Sequence, residues 1–345
     1  MKLQKTALAL LVGWYAANAT AYSEQGQAGN TKSWESAEYL KDWGLTSMNA
    51  STAYALGFNG SGVKIGVMDS GVLLNHPEFQ DGRIHVVKTE GTYSKDGMRY
   101  PDASVGNGPI NKNEPVKNGK RNFDKTDNGI FTKGEAFNID GAWHKYTNDA
   151  HGTHVGGTMA ASRDGNEMHG VAFGANLYSA NTGGNDNMTY GPNQDYSFFL
   201  QGYSALADAG AKVINNSWGS NRRVNSSFAG ALGYKPKYDW RDVPEYGVQY
   251  YDVPKAPEPI SSPAAHIYLS NLGEAEKAYY QFVTSGEKNF IDAAYEVAKN
   301  KQVIQVFTAG NRSMMAESFT RAMLPYFRPD VEKYWVNVTG QVGGE

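Results

Sequence analysis

Residues 148–157 read Asn-Asp-Ala-His-Gly-Thr-His-Val-Gly-Gly, so that an imidazole stands at the start of a run of small residues. Small side chains let a helix pack closely, so residues 151–162 are predicted to form a buried helix. A core helix rarely begins with an imidazole unless the ring is used, which makes His151 a candidate for chemistry. His154, one turn further in, is equally consistent with a structural role.

Strands and helices alternate on both sides of this segment. Helical spacing of apolar residues occurs within 195–209 and 290–297, and β-rich runs occur at residues 63–68, 177–180, 212–216, 302–307 and 334–338. This alternation predicts an α/β fold, with a parallel sheet and helices on both faces. Two insertions, residues 88–148 and 221–265, are predicted to lie on the surface.

Three groups of polar residues follow predicted strands. Asp69 ends the first strand, Ser217-Trp218-Gly219 follows a later one, and Asn311 follows a third. Ligands and catalytic groups collect at the carboxyl ends of parallel strands. An amide at such an end can stabilise an oxyanion, and backbone groups beside a glycine can pair with an extended peptide. For Asp69 and Asn311 the simpler alternative is a turn residue.

Composition excludes several kinds of site. The chain has 345 residues with 40% hydrophobic and 19% charged residues, and its 32 Lys and Arg nearly balance 35 Asp and Glu. This balance argues against a partner that is a nucleic acid or a membrane surface. The sequence contains no Cys. Disulfides, thiolate nucleophiles and Cys-ligated metals are therefore excluded.

The first 21 residues have the pattern of a cleaved secretory signal. Lys2 and Lys5 precede an apolar stretch, and Ala19-Thr20-Ala21 supplies the small residues that signal peptidase accepts. We expect residues 1–21 to direct export, to the medium, the cell surface or the outer membrane of a Gram-negative bacterium.

Four motifs together resemble those of the subtilisin-like serine peptidases, the subtilases. They are IGVMDSGV at residues 65–72, HGTHVGGT at 151–158, INNSWG at 214–219 and FTAGN at 307–311. The order Asp, His, Asn is also the order of that family. The resemblance runs from about residue 60 to the end of the sequence and is broken by the two insertions.

The resemblance implies a subtilisin-like sheet and peptide-bond hydrolysis by acyl transfer. Asp69 would orient the imidazole, His151 would act as general base, and Asn311 would complete the oxyanion hole. A protein or peptide substrate would lie extended beside Ser217, Trp218 and Gly219, with Trp218 either restricting the primary pocket or forming a flat wall of it. No cofactor is required for this chemistry.

The serine nucleophile of the family is not found where the motif order requires it. No Gly-Thr-Ser-Met-Ala-x-Pro motif follows Asn311; the partial copy at residues 45–50 precedes Asp69, and Ser313 adjoins Asn311 too closely. We therefore expect a chain that stops before its nucleophile, part of an active parent and itself inactive. Within one fold, topology fixes the order of the motifs.

The domain prediction has three parts: a signal peptide at 1–21, an N-terminal lead-in segment at 22–55 that packs on the domain edge, and an incomplete peptidase domain at 56–345. Long insertions, an export signal and the lack of Cys look most like passenger peptidases of Gram-negative autotransporters. That similarity implies that an outer-membrane barrel is encoded downstream.

Two other functions compete with this interpretation. One is a non-catalytic subtilase-like protein that binds peptides or assists folding of a partner, and the other is a metal-dependent hydrolase using His151, His154 and a carboxylate such as Asp149.

A structural calcium ion is a separate expectation. Residues 124–135 resemble an EF-hand loop, but Thr126 stands where Asp or Asn is usual, and no amphipathic helices flank the loop. A solvated loop is the simpler interpretation, and calcium elsewhere stays open.

Overall fold

The structure is a computed structural model. It describes residues 26–98, 130–143, 150–182, 195–218, 223–225, 240–243, 248–252, 287–308, 321 and 324–338. Within these ranges no helix combines the length and the apolar character needed to cross a membrane. The predicted signal segment, residues 1–21, lies outside them.

The elements are numbered here in chain order. The strands are β1 Lys64–Asp69, β2 Ile84–Val86, β3 Lys88–Thr92, β4 Gly97–Met98, β5 Ile130–Phe131, β6 Ala136–Asp140, β7 Asn176–Asn181, β8 Val213–Asn216, β9 Arg223–Asn225, β10 Trp240–Val243, β11 Val248–Asp252, β12 Ile304–Thr308 and β13 Trp335–Val338. The helices are α1 Ala37–Lys41, α2 Trp43–Ser47, α3 Ala50–Ala55, α4 His151–Ala160, α5 Tyr196–Asp208, α6 Phe290–Lys301 and α7 Leu324–Phe327. Short 3₁₀ helices span Thr31–Trp34, Pro77–Phe79 and Pro329–Tyr334.

A six-stranded sheet forms the centre of the molecule, in the order β13-β12-β8-β1-β7-β2. All five of its strand pairs are parallel. The predicted α/β class is therefore confirmed. Because β12, β8 and β1 are neighbours and run in the same direction, the residues at their carboxyl ends share one edge of the sheet.

Successive residues of β1 face opposite sides of the sheet, as the two-residue period of a strand requires. Val67 belongs to a buried cluster with Val155 of α4. Met68 belongs to the larger cluster, with Tyr203 of α5 and Val297 of α6. Helices thus cover both faces, with α4 on one and the α5–α6 pair on the other.

Side-chain caps fix where the two large helices begin. The carboxylate of Asp195 accepts a hydrogen bond from the backbone N–H of Phe198 over 2.9 Å at the start of α5. Asn289 and Asp292 form a reciprocal capping box at the start of α6. Such caps satisfy N–H groups that have no partner within the helix.

Residues 88–148, predicted as a surface insertion, are described only at their two ends, where one face of the segment packs on the core. Strands β3 and β6 pair as an antiparallel ribbon. Tyr93, Phe131 and Phe137 are buried and belong to the main core together with Phe198 of α5. Phe137 lies on β6, Phe131 lies on β5 and Tyr93 directly follows β3. These strands are short and their aromatic residues are isolated, so the segment lacks a recognisable apolar period. The described strands of the second insertion, β9 to β11, form an antiparallel three-stranded sheet.

The N-terminal segment, residues 26–55, has an aromatic cluster of its own. Tyr39, Leu45 and Tyr54 are buried, with Val171 and Phe173 packed against them. The Tyr54 hydroxyl donates a hydrogen bond to the carbonyl of Val171 over 2.8 Å. The segment is therefore attached to the loop that follows α4.

Candidate active site

Asp69 ends the central strand β1, and its side chain is buried. Its Oδ1 atom accepts a hydrogen bond from the backbone N–H of Ser70 over 2.7 Å. This bond holds the carboxylate in one orientation at the edge of the sheet.

His151 is the first residue of α4, and its Nδ1 lies 2.8 Å from the same Oδ1 of Asp69. A carboxylate only accepts hydrogen bonds, so Nδ1 carries the proton and Nε2 is the basic nitrogen of the neutral ring. The two side chains differ in exposure: 47% for His151 and 4% for Asp69. The Asp69 carboxylate is buried behind the solvent-exposed imidazole of His151. A general base and the carboxylate that orients it need this arrangement.

The loop after Asp69 and the start of α4 approach each other very closely. Gly71 has φ +90°, and a Cβ at this position would collide with the carbonyl of Ala142. A Cβ on Gly152 would lie 2.5 Å from the carbonyl oxygen of Gly71. The glycines of both motifs are therefore needed for the approach that brings Asp69 to His151.

Ser70 is a site residue that the sequence interpretation missed. Its hydroxyl accepts a hydrogen bond from the backbone N–H of Gly152 over 2.8 Å. The N-cap residue of α4 is Ala150, which makes no side-chain cap. Alanine at the N-cap position cannot accept a hydrogen bond from the first N–H groups of the helix. This was the available signal that those N–H groups are satisfied from elsewhere in the chain.

The described residues offer no donor set for the metal-dependent alternative. His154 is exposed, and Asp149 lies outside the described residues. Across the part of the chain that the structure describes, no three His, Cys, Asp or Glu side chains are grouped to hold a metal ion. The loop predicted to bind calcium, residues 124–135, has three acidic residues: Asp124, Asp127 and Glu135. Of these three, only Glu135 is described, and its carboxylate accepts a hydrogen bond from the backbone N–H of Thr132 over 3.1 Å.

The predicted substrate segment is described in part. Ser217 is half-buried, and its hydroxyl accepts a hydrogen bond from Nδ2 of Asn215 over 2.8 Å. Gly219 and Asn311 lie outside the described residues, so their roles stay predictions. Strand β12 ends at Thr308, at the same sheet edge as Asp69 and Ser217.

The ring of Trp218, predicted to restrict the primary pocket or to form a flat wall of it, packs in the main core. The residue is 7% exposed. Its Nε1 donates a hydrogen bond to the carbonyl of Met68 over 2.7 Å. A buried indole needs a partner for its N–H, and this partner turns the ring inward.

Comparisons with known proteins place the chain in context. The model of the subtilase family (Peptidase_S8) matches residues 60–341. An extracellular serine protease of Serratia marcescens is 29% identical over 346 residues, covering 98% of this chain and 26% of the relative. Bacillopeptidase F of Bacillus subtilis (strain 168) is 28% identical over 275 residues, covering 74% of this chain and 16% of the relative.

The chain spans about a quarter or less of the length of these curated relatives. Among solved structures, fervidolysin from Fervidobacterium pennivorans, described as a keratinolytic enzyme related to subtilisin, is 20% identical with a TM-score of 0.32. The match covers 78% of this chain and 24% of the fervidolysin chain.

Proposed function

The chain belongs to the subtilase family, and we propose that it supplies the orienting carboxylate, the general base and the peptide-binding segment of an exported serine endopeptidase. The observation that carries the proposal is the 2.8 Å contact between His151 Nδ1 and Asp69 Oδ1. A buried carboxylate behind an exposed imidazole is the arrangement that general base catalysis needs.

The proposed reaction is acyl transfer to a serine hydroxyl. Nε2 of His151 takes the hydroxyl proton as the oxygen attacks the peptide carbonyl, and the ring then gives that proton to the leaving amine. Asp69 holds the tautomer and stabilises the imidazolium. Asn311 donates to the oxyanion, and the peptide lies extended along residues 217–219. No step needs a cofactor.

We propose that the serine comes from sequence beyond residue 345, because no Gly-Thr-Ser motif follows Asn311 in the printed sequence. The term "full-length protease" is used below for this chain together with the segment that carries the serine. In a subtilisin, removing the serine lowers kcat by a factor of about 10⁶. The 345 residues alone are therefore expected to be inactive.

We also propose that the protease works outside the cytoplasm on protein or peptide substrates. Residues 1–21 carry the pattern of a signal, and the Serratia relatives are extracellular serine proteases.

Covalent labelling with an organophosphate tests the proposal. The gene is read past codon 345, and the full-length protease is labelled as wild type, His151→Ala and Asp69→Asn. Labelling should be lost in His151→Ala. It should slow by about 10⁴-fold in Asp69→Asn, because the amide favours the wrong tautomer.

His154→Ala is the matched control, since it removes an exposed imidazole from the same helix. It should label like the wild type. Labelling that survives His151→Ala would remove His151 from the proposed role. A natural stop after codon 345 would favour the peptide-binding alternative.

A further inference from the structure

Trp218 joins the predicted substrate segment to the strand that carries Asp69. The indole Nε1 donates to the carbonyl of Met68, the residue before Asp69, over 2.7 Å. The ring also packs against Phe290 and Phe307, with centroids 5.3 Å and 6.1 Å away. The indole is therefore fixed on its edge and on its faces, and it cannot turn towards a substrate without leaving the core.

Arg321 binds the backbone of Trp218. It is fully buried, and its Nη1 donates to the carbonyl of Trp218 over 2.6 Å. Its guanidinium carbon lies 5.6 Å from the ring centre of Trp218 and 5.4 Å from that of Phe307. In turn, Nε1 of Trp335 donates to the carbonyl of Arg321 over 3.0 Å. Arg321 is thus bound by Trp335 of β13, and it binds Trp218 in the segment after β8.

Burying a guanidinium is costly, so its contacts must be strong to be retained. A charged donor makes a hydrogen bond roughly twice as strong as a neutral pair makes. The planar group can hydrogen-bond in its plane and stack on its faces at the same time, and a lysine ammonium cannot do both. The chemistry of Arg321 therefore suits holding one backbone carbonyl at a fixed place.

We propose that Arg321 is a positioning residue that, acting through Trp218, sets the distance between the peptide-binding segment and the Asp69–His151 pair. This inference rests on the proposed function. Arg321 touches neither the substrate nor the reacting atoms, and its effect passes through the carbonyl of Trp218 and the indole bond to Met68. Binding of an extended peptide depends on this backbone, whereas reaction with a small acyl ester does not.

The test compares two substrates in the full-length protease and in its Arg321→Met and Arg321→Lys variants. The substrates are a tetrapeptide anilide, which occupies the segment, and p-nitrophenyl acetate, which does not. In Arg321→Met, KM for the anilide should rise about tenfold, since small displacements of a positioning group cost factors of this size or more. Arg321→Lys should fall in between, because it keeps the charge and loses the stacking. Ester hydrolysis and organophosphate labelling should stay within about twofold of wild type.

Trp218→Phe tests the same link from the other side. It keeps an aromatic ring and removes the N–H that binds Met68, so it should also raise KM for the anilide. An unchanged KM, a parallel loss on both substrates, or variants that do not fold would overturn the positioning role. Loss of labelling already in the wild type would contradict the proposed function instead, so the two failures are distinguishable.

Discussion

The hydroxyl oxygen of Ser70 lies 2.8 Å from the backbone nitrogen of Gly152 and accepts its hydrogen bond. The residues just before these two, Asp69 and His151, make the side-chain contact of the site. Two adjacent bonds therefore join the end of β1 to the start of α4. The bond between Asp69 and His151 supplies chemistry, and the bond from Gly152 to Ser70 caps a helix whose own N-cap residue, Ala150, cannot do so.

Replacing Ser70 with Ala should destabilise the protein by about 1 kcal/mol, because the N–H of Gly152 loses its acceptor. Denaturant unfolding of the 345-residue chain measures the change. Ser61→Ala, at an exposed serine, is the control and should leave the free energy of unfolding unchanged. Equal stability of Ser70→Ala and wild type would show that the bond contributes nothing.

Two glycines of α4 should respond oppositely to the same substitution. In Gly152→Ala the new Cβ would lie 2.5 Å from the carbonyl oxygen of Gly71, whereas in Gly157→Ala it would meet nothing within 4 Å. We expect Gly157→Ala to stabilise the chain by up to about 1 kcal/mol through helix propensity. Gly152→Ala should destabilise it by about 2 kcal/mol or more, since backbone must move. Thermal unfolding of both variants decides the matter, and a stabilising Gly152→Ala would refute the close approach.

Local motifs made the sheet and the pairing of Asp69 with His151 predictable. Each motif lies at the end or start of an element whose apolar pattern is clear, and parallel topology brings strand ends to one edge. The contacts that the sequence did not reveal join distant residues. Trp218 reaches Met68 across 150 positions, and Arg321 reaches Trp218 across 103. No local pattern specifies which carbonyl a buried donor will find.

The difference between local patterns and contacts of distant residues also explains why the burial of part of the 88–148 segment was not predicted. Phe137 lies on one strand of a two-stranded ribbon and Tyr93 directly follows the other, and their burial depends on α5 covering one face of the ribbon. A ribbon of five residues per strand is too short to show an alternating pattern against many polar neighbours. Its aromatic residues were the available signal, because large rings in a polar segment are more often buried than exposed.

Tyr54→Phe should weaken the attachment of the N-terminal segment by about 1 kcal/mol, because the carbonyl of Val171 loses the hydroxyl that donates to it. Hydrogen exchange of residues 26–55 should rise while that of β1 stays slow. Tyr326→Phe, at a tyrosine that is 65% exposed, is the control. Uniform loss of protection across the sheet would mean that the segment does not open by itself.

The stability of the chain should fall as the pH rises through the titration of Glu78. Burial, together with the charges of Asp164, Glu38 and Glu167, raises the pKa of the Glu78 carboxyl from 4.5 to about 7. Between these values the folded chain binds more protons than the unfolded chain. The free energy of unfolding therefore decreases with rising pH across this window and levels off above it.

Glu78→Gln removes this titration, so the variant should match wild type near pH 4. At pH 8 it should be more stable by about 1 kcal/mol, a figure reduced for the partial exposure of the group. Glu332→Gln, at an exposed glutamate, controls for the change in net charge. Denaturant unfolding at a series of pH values gives the comparison. A difference between Glu78→Gln and wild type that does not vary with pH would show that the Glu78 carboxyl has the same pKa in the folded and the unfolded chain, and that its neighbours do not hold its proton.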